Sequence, residues 1–283
     1  MRVRLTTRGP WRSRRAAPSR PGPCPTRLRT RTIRCPTSCR ARRSCSIRIT
    51  QLEWARAAAS DAMDWQTAAK YCADLSAAGG GFRLPSRIEL LSLLDPSRVS
   101  PALDADVFPD QPGSPYWSDS PLADNHDRRW AIEMQFSTQF ALPRELDKAL
   151  RVRCVRDKGQ LPATGRFNVE GPLVHDLGTQ LTWQSADAPN MLSHADALAY
   201  CTNLDLNGKG FRLPTLKELH TLVDEARTLP AADSMLFPDT DSEGYWSSTA
   251  LVEFPRSAWI VNFARGIDGF AGVDTSQHVR CVR

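Results

Sequence analysis

The sequence has no run of about 18 uncharged apolar residues, so it predicts no membrane-spanning helix. Residues 1–30 also lack the continuous apolar segment of a secretory signal peptide. Hydrophobic residues make up 41% of the chain, which is enough for a packed core. A chain of 283 residues has room for one large domain or two ordinary ones.

Acidic residues and lysine are both absent from residues 1–50, although that segment holds 15 Arg. Removing it leaves 37 − 15 = 22 basic against 31 acidic residues, so the net charge of +6 becomes −9 for the remainder. The basic balance therefore belongs to one segment. Because a nucleic-acid partner would depend on that segment alone, we expect none.

Residues 1–49 show neither helical nor strand periodicity, and four interpretations are open. They are a basic nucleic-acid-binding arm, a zinc site on Cys35, Cys39 and Cys45, a disordered segment, or a stretch read in the wrong frame or from a wrong start. We favour the last, because the internal repetition of the chain begins abruptly at residue 50. On that interpretation the true N terminus, with any signal peptide, is missing from this sequence.

A ten-residue stretch occurs twice, as GFRLPSRIEL at 81–90 and as GFRLPTLKEL at 210–219, displaced by 129 positions. The alignment runs without gaps from Gln51 to Trp130, and both copies end in Val-Arg-Cys-Val-Arg. We predict a first domain at 50–156, a linker at 157–166 and a second domain at 167–283. The second copy has a predicted opening hairpin at 167–177, which the first copy lacks.

Two helices are predicted in each copy. The first follow the N-cap residues Asp64 and Ser193 and span 65–75 and 194–204. The second begin at capping boxes, in which a Ser or Thr cap and a Glu three residues later satisfy each other's backbone amides. The boxes are Ser86 with Glu89 and Thr215 with Glu218, and the helices are expected to reach about Asp95 and Arg227.

Aromatic and arginine residues recur at matching positions. The repeated tryptophans and tyrosines lie at predicted strand positions, which favours core packing over a sugar-stacking platform. We expect Arg83 and Arg212 to form buried ion pairs with Glu89 and Glu218. The recurring aromatics are Trp54, Trp117, Trp130, Trp183, Trp246, Trp259, Tyr116 and Tyr245.

One cysteine on the first helix and one near the end recur in both copies. This recurrence favours the disulfides Cys72–Cys154 and Cys201–Cys281, and with them an oxidising compartment. The alternative is four independent buried thiols in a cytosolic protein. A catalytic cysteine is not expected, because no histidine occupies equivalent positions in the two copies.

The Leu-x-Trp start, the Gly-Phe-Arg-Leu-Pro stretch, the Phe-Pro and Tyr-Trp-Ser motifs and the terminal Val-Arg-Cys-Val-Arg together resemble the Lcl C-terminal domain family. The resemblance covers about 51–156 and 165–283. The Arg-Leu-Pro-[Ser/Thr]-x-x-Glu core is also similar to formylglycine-generating enzymes and other proteins of C-type-lectin-like fold. The resemblance implies an exported, surface or periplasmic protein and, from the named member, adhesion and sulfated-glycan binding.

We therefore expect an α+β chain of two tandem C-type-lectin-like domains, each with two helices packed on a small antiparallel sheet. Calcium-bridged sugar binding is not expected, because the Glu-Pro-Asn and Trp-Asn-Asp motifs of calcium-dependent lectins are absent. The Asp239, Asp241 and Glu243 carboxylates resemble a calcium loop, but Ala250 stands where its bidentate glutamate belongs. A solvated turn is the preferred interpretation.

The loops 118–129 and 247–258 differ most between the copies, and variable loops on a rigid scaffold often carry recognition. Tolerance of sequence change explains them equally well. The candidate ligand-binding residues are Asn125, His126, Asp127, Arg128, Glu253 and Arg256.

The leading functional hypothesis is a non-enzymatic, exported binding or adhesion module for a glycan or a cell-envelope protein, with no catalytic residue and no cofactor. One alternative is a catalyst of the formylglycine-generating type, which needs reactive cysteines. Another is a structural subunit of an envelope complex.

Overall fold

The structure is a computed structural model that describes residues 44–47, 52–96, 102–109, 115–134, 138–143, 149–157 and 165–283. The rest of the Arg-rich segment, with Cys24, Cys35 and Cys39, lies outside these residues, as does most of the predicted linker. Within the described residues, no helix is long and apolar enough to cross a membrane.

Both copies fold into two helices and small antiparallel sheets, so the α+β class is confirmed. The first copy contains β1 (Ser44–Ile47), β2 (Leu52–Ala55), α1 (Trp65–Asp74), α2 (Arg87–Leu93), β3 (Tyr116–Leu122), β4 (Asn125–Glu133), β5 (Thr138–Pro143) and β6 (Val155–Asp157). The second copy contains β7 (Phe167–Glu170), β8 (Leu173–Asp176), β9 (Leu181–Gln184), α3 (His194–Asn203), α4 (Leu216–His220), β10 (Gly244–Ala250), β11 (Ser257–Asn262) and β12 (Ile267–Gly272).

Each copy has two three-stranded sheets, where the sequence predicted one. The first copy has the strand orders β1-β2-β6 and β3-β4-β5, and the second has β7-β8-β9 and β10-β11-β12. The final segment of the second copy adds only isolated bridges, from Val282 to Trp183 and to Arg212. The early and late strands of a copy therefore do not merge into a single ladder.

Strand β1 corrects the prediction that the first copy lacks its opening hairpin. Ile47 pairs with Leu52 and Ser44 with Ala55, in the register that β8 has with β9 in the second copy. Strand β1 has no alternating apolar pattern because its pairing depends on backbone groups, which any residue except proline can supply. The segment 1–49 thus contributes one strand to the fold.

The predicted helix starts are confirmed. The Asp64 side chain accepts a hydrogen bond from the Thr67 amide, and the Ser193 side chain accepts one from the Asp196 amide. Both capping boxes form as well. The second helices are shorter than predicted, ending at Leu93 and His220, since contacts between residues three apart tighten each last turn.

The repeated aromatic residues form the core, as predicted. Trp54, Trp117, Trp183 and Trp246 are fully buried, and Tyr116 and Tyr245 are buried with them. Trp130 is buried and Trp259 is partly buried.

The two predicted disulfides join the first helix of each copy to its final segment, as Cys72–Cys154 and Cys201–Cys281. The ion pairs Arg83–Glu89 and Arg212–Glu218 form at 2.7 Å. They are less buried than predicted, because both guanidinium groups remain more than 40% exposed. Each pair fixes a capping glutamate at the start of α2 or α4.

The two copies pack against each other through equivalent elements. Helix α2 lies against α4, and strand β5 lies beside β12. Since the members of each pair are 129 residues apart, this contact resembles the self-complementary interface of a two-fold symmetric dimer. The described residues of both copies belong to one compact unit.

Lys217 on α4 lies in this contact, where its Nζ donates a hydrogen bond to the Ser92 carbonyl oxygen at 2.8 Å. Burial lowers the pKa of Lys217 to about 8, although the Asp95 carboxylate acts in the opposite direction. The charged form is therefore disfavoured in the folded state.

We predict that stability rises with pH between about 8 and 10.5, because the unfolded chain then holds the Lys217 proton that the folded chain has released. Below pH 8 both states are protonated and this contribution is constant. The variant Lys217→Ile, which introduces the Ile88 of the first copy, should lose this rise and gain on the order of 1 kcal/mol at pH 7. Urea unfolding at pH 7, 9 and 10 tests this, with exposed Lys209→Ala as control. An unchanged pH dependence in Lys217→Ile would contradict it.

Candidate recognition surface

The candidate ligand-binding residues lie on two β-hairpins. The sequence predicted loops at 118–129 and 247–258, but strands β3 and β4 extend through most of the first and β10 and β11 through most of the second. Cross-strand pairing explains the difference, because polar residues at a hairpin tip join a ladder as readily as apolar ones. Only the residues 251–256 of the second hairpin form a longer loop.

The tip of the first hairpin is polar and largely uses its own groups. Asn125, His126 and Asp127 are exposed, and Arg128 is partly exposed. The Asp127 amide donates to Asn125 Oδ1 at 3.1 Å. The neighbouring Asp124 forms an ion pair with Arg265 of the second copy. This tip therefore lies beside the turn between β11 and β12.

The loop 251–256 carries Glu253 and Arg256, both exposed. Backbone hydrogen bonds from Phe254 to Leu251 and from Ser257 to Phe254 close the loop. Arg256 pairs with Asp274 at 2.6 Å. These residues lie at the end of β11 opposite to Arg265, and six strand residues span roughly 20 Å. The structure does not bring the two groups of candidate residues together.

Two phenylalanine rings dominate the surface of this loop. Phe254 and Phe270 stack with their centroids 6.0 Å apart and an interplanar angle of 10°. The side chains are 55% and 59% exposed, respectively. Burial of a phenylalanine stabilises a fold by about 1.5–3 kcal/mol, and these two residues forgo most of that gain. Clustered exposed apolar side chains mark interaction sites in soluble proteins.

The backbone beneath the rings is fixed. Phe270 lies on β12 directly opposite Trp259 of β11, so their side chains share one face of the sheet. Val252, 51% exposed, extends the apolar area. The set is named the aromatic surface from here on, and consists of Val252, Glu253, Phe254, Arg256, Phe270 and Asp274.

The aromatic surface is specific to the second copy. At the equivalent positions the first copy has Asn125 for Phe254 and Ala141 for Phe270. Among the described residues, all nine exposed large apolar side chains lie in the second copy. Sequence reasoning missed the two phenylalanines because it sought shared motifs. The offset of 129 offered a signal, since it sets an aromatic residue against a small or polar one.

The acidic loop 239–243 does not form a metal site. In the described part of the chain, no group of three or more His, Cys, Asp and Glu side chains is arranged to hold a metal ion. Asp241 and Glu243 instead face His278, whose Nε2 is 3.9 Å from a carboxylate oxygen of each. The preferred interpretation of a solvated turn agrees with this placement.

A polar network that sequence reasoning also missed lies behind that loop. Asp187 accepts hydrogen bonds from Arg280 and from the Tyr245 hydroxyl, and His278 stacks on the Tyr245 ring. Burial raises the pKa of Asp187, against the opposing effects of Arg280 and Tyr245. Burial beside the Asp187 charge also raises the pKa of Tyr245. The network connects the segments around 187 and 240–245 in the interior, so we assign it to stability.

The four repeated cysteines carry no reactive thiol, because all four are in disulfides. The arrangement at the aromatic surface suits binding. Aromatic faces can cover apolar groups, and the adjacent Arg256 and Asp274 can donate and accept hydrogen bonds.

A family model described as the Lcl C-terminal domain matches the chain twice, at residues 48–156 and 172–283. No curated protein matches the chain.

Proposed function

The chain belongs to the Lcl C-terminal domain family, and we propose that it is a non-enzymatic, exported binding module that recognises glycans at its aromatic surface. The proposal includes a C-type-lectin-like fold for each copy. It is supported by the disulfide that joins the first helix to the final segment in both copies. Export is supported by the same disulfides, which persist in oxidising compartments.

The observation that carries the proposal is the exposed Phe254–Phe270 pair on a paired-strand scaffold. A ring face fits the apolar C–H face of a sugar. The Arg256–Asp274 pair on the same loop and strand end can exchange hydrogen bonds with sugar hydroxyls. Since both charges of the pair are more than 70% exposed, they remain available to a ligand.

We predict that Phe254→Asn and Phe270→Ala, which introduce the first-copy residues, each weaken glycan binding about tenfold. Loss of one aromatic anchor costs more than 1 kcal/mol at typical interfaces, and 1.4 kcal/mol corresponds to tenfold. The measurement is binding of the full chain to a printed array of sulfated and neutral oligosaccharides, at two salt concentrations.

Met235→Ala is the matched control, because Met235 is an apolar side chain of the same copy that is 87% exposed and lies outside the aromatic surface. Its binding should equal that of the unaltered chain. Array binding that survives both phenylalanine substitutions would refute the proposed site. An array without any binding, together with capture of an envelope protein that the substitutions abolish, would replace the glycan with a protein partner.

A further inference from the structure

The first copy inserts a buried arginine into the second. Arg87 is the first residue of α2 and is only 1% exposed. Its Nη1 donates to the Arg265 carbonyl oxygen at 3.0 Å, and its Nε lies 3.3 Å from Glu225 Oε1. The guanidinium also lies over the Trp130 ring at 4.3 Å. One side chain thus joins the first-copy core to two segments of the second copy.

The segment that Arg87 holds is the turn between β11 and β12. Gly266 has a φ of +64°, and a Cβ there would clash with Val223 and stand 3.1 Å from Arg87 Nη2. The backbone of this turn therefore lies directly against the guanidinium. The Asp124–Arg265 ion pair adds a second contact from the first copy to the same turn.

This turn leads into the strand that carries Phe270. Asp268, two residues before Phe270, forms a buried pair with His220 of α4. The β11–β12 hairpin is thus fixed at its turn by the first copy and along β12 by α4. The loop that bears Phe254 continues directly into β11.

The contact is not reciprocal. Leu216 occupies the position of Arg87 in the second copy, and Pro96 occupies the position of Glu225 in the first. The first copy also lacks the two phenylalanines, as described above. One copy therefore supplies the buried arginine and the other supplies the exposed aromatic rings.

We infer that the two copies have divided their roles, so that the first copy is a brace and the second copy holds the single recognition surface of the chain. Arg87 is a positioning residue, which acts by fixing the β11–β12 hairpin beneath Phe270. The inference rests on the proposed function for the identity of the recognition surface. It implies one bound oligosaccharide per chain, although the domain is present twice.

The test uses the full chain with Arg87→Leu, which introduces the residue found at position 216. Lys70→Leu is the matched control, since it removes an exposed cation from α1 of the same copy. Hydrogen exchange of the amides in 257–272 and binding to the oligosaccharide array are measured at a temperature where every variant is folded. The number of bound molecules per chain is measured by titration with an array oligosaccharide.

Arg87→Leu should speed exchange in 257–272 and weaken array binding about threefold or more, while Lys70→Leu changes neither. The unaltered chain should bind one oligosaccharide. Unchanged exchange and binding in Arg87→Leu, or two oligosaccharides per chain, would overturn the inference.

Should Arg87→Leu fail to fold, Arg87→Lys takes its place, because lysine keeps the charge but lacks the planar fork that reaches both partners. A smaller change in the same direction supports the brace, and no change overturns it. The exchange measurement needs no ligand. Array binding that ignores Phe254→Asn and Phe270→Ala would therefore reject the proposed site and leave the brace to be judged by exchange alone.

Discussion

Replacing Cys201 and Cys281 together with alanine is expected to lower the free energy of unfolding by about 4 kcal/mol. The disulfide spans 80 residues of sequence. In the chain-entropy treatment, a closed loop of that length restricts the unfolded state by about 4.5 kcal/mol, and any strain in the folded state reduces this figure. Both cysteines are fully buried, so their replacement also removes core contacts. Guanidinium unfolding of the full chain measures the loss.

The first copy provides the matched comparison. Cys72→Ala with Cys154→Ala opens a loop of 82 residues and should cost a similar amount. Thiol titration of the folded, unreduced chain should find all four cysteines unreactive. Reactive thiols at these positions, or double variants as stable as the unaltered chain, would contradict the prediction. Reactive thiols would also reopen the alternative of a cysteine-dependent catalyst.

The fold features that the sequence predicted well are those determined locally or by recurrence. A capping box needs only a hydroxyl residue and a glutamate three positions apart, so Ser86 with Glu89 was legible without any tertiary contact. The cysteine pairing came from recurrence, because two copies of one fold must solve the same spatial problem. The burial of Trp54 and Trp183 followed in the same way.

The features that the sequence did not predict depend on contacts between distant residues. Strand β1 forms because the edge of β2 offers hydrogen bonds. Phe254 and Phe270 meet because two turns of the chain bring together residues from a loop and a neighbouring strand. Neither event has a local signature. Differences between the copies, which motif comparison discards, coincide with the candidate site.

The same reasoning applies to Arg87. Its sequence position identifies it as the first residue of a capped helix, where a charged residue is ordinary. Only the packing of α2 against α4 shows that its guanidinium is buried in the other copy. Specialisation of a duplicated domain is thus recorded at contact positions, while the shared motifs preserve the scaffold.

Asp187→Ala is expected to lower the free energy of unfolding by about 3 kcal/mol, because it leaves the Arg280 guanidinium, only 2% exposed, without its carboxylate. Arg280 would keep its hydrogen bonds to the Gln184 and Ser185 carbonyl oxygens, which places the cost at the low end of the range for a broken buried pair. The Tyr245 hydroxyl loses its acceptor as well.

The raised pKa of Asp187 shows that desolvation opposes its ionisation even beside Arg280. A buried pair of this kind stabilises the fold little as a pair, but either charge alone is costly. The double variant Asp187→Ala with Arg280→Met should therefore be less destabilised than the sum of the single variants, with a coupling energy of about 1–3 kcal/mol. Urea unfolding of the four proteins measures the coupling. Additive losses would mean that the two side chains act independently, and the network around Tyr245 would then not be the element that holds the segment 240–245 against the core.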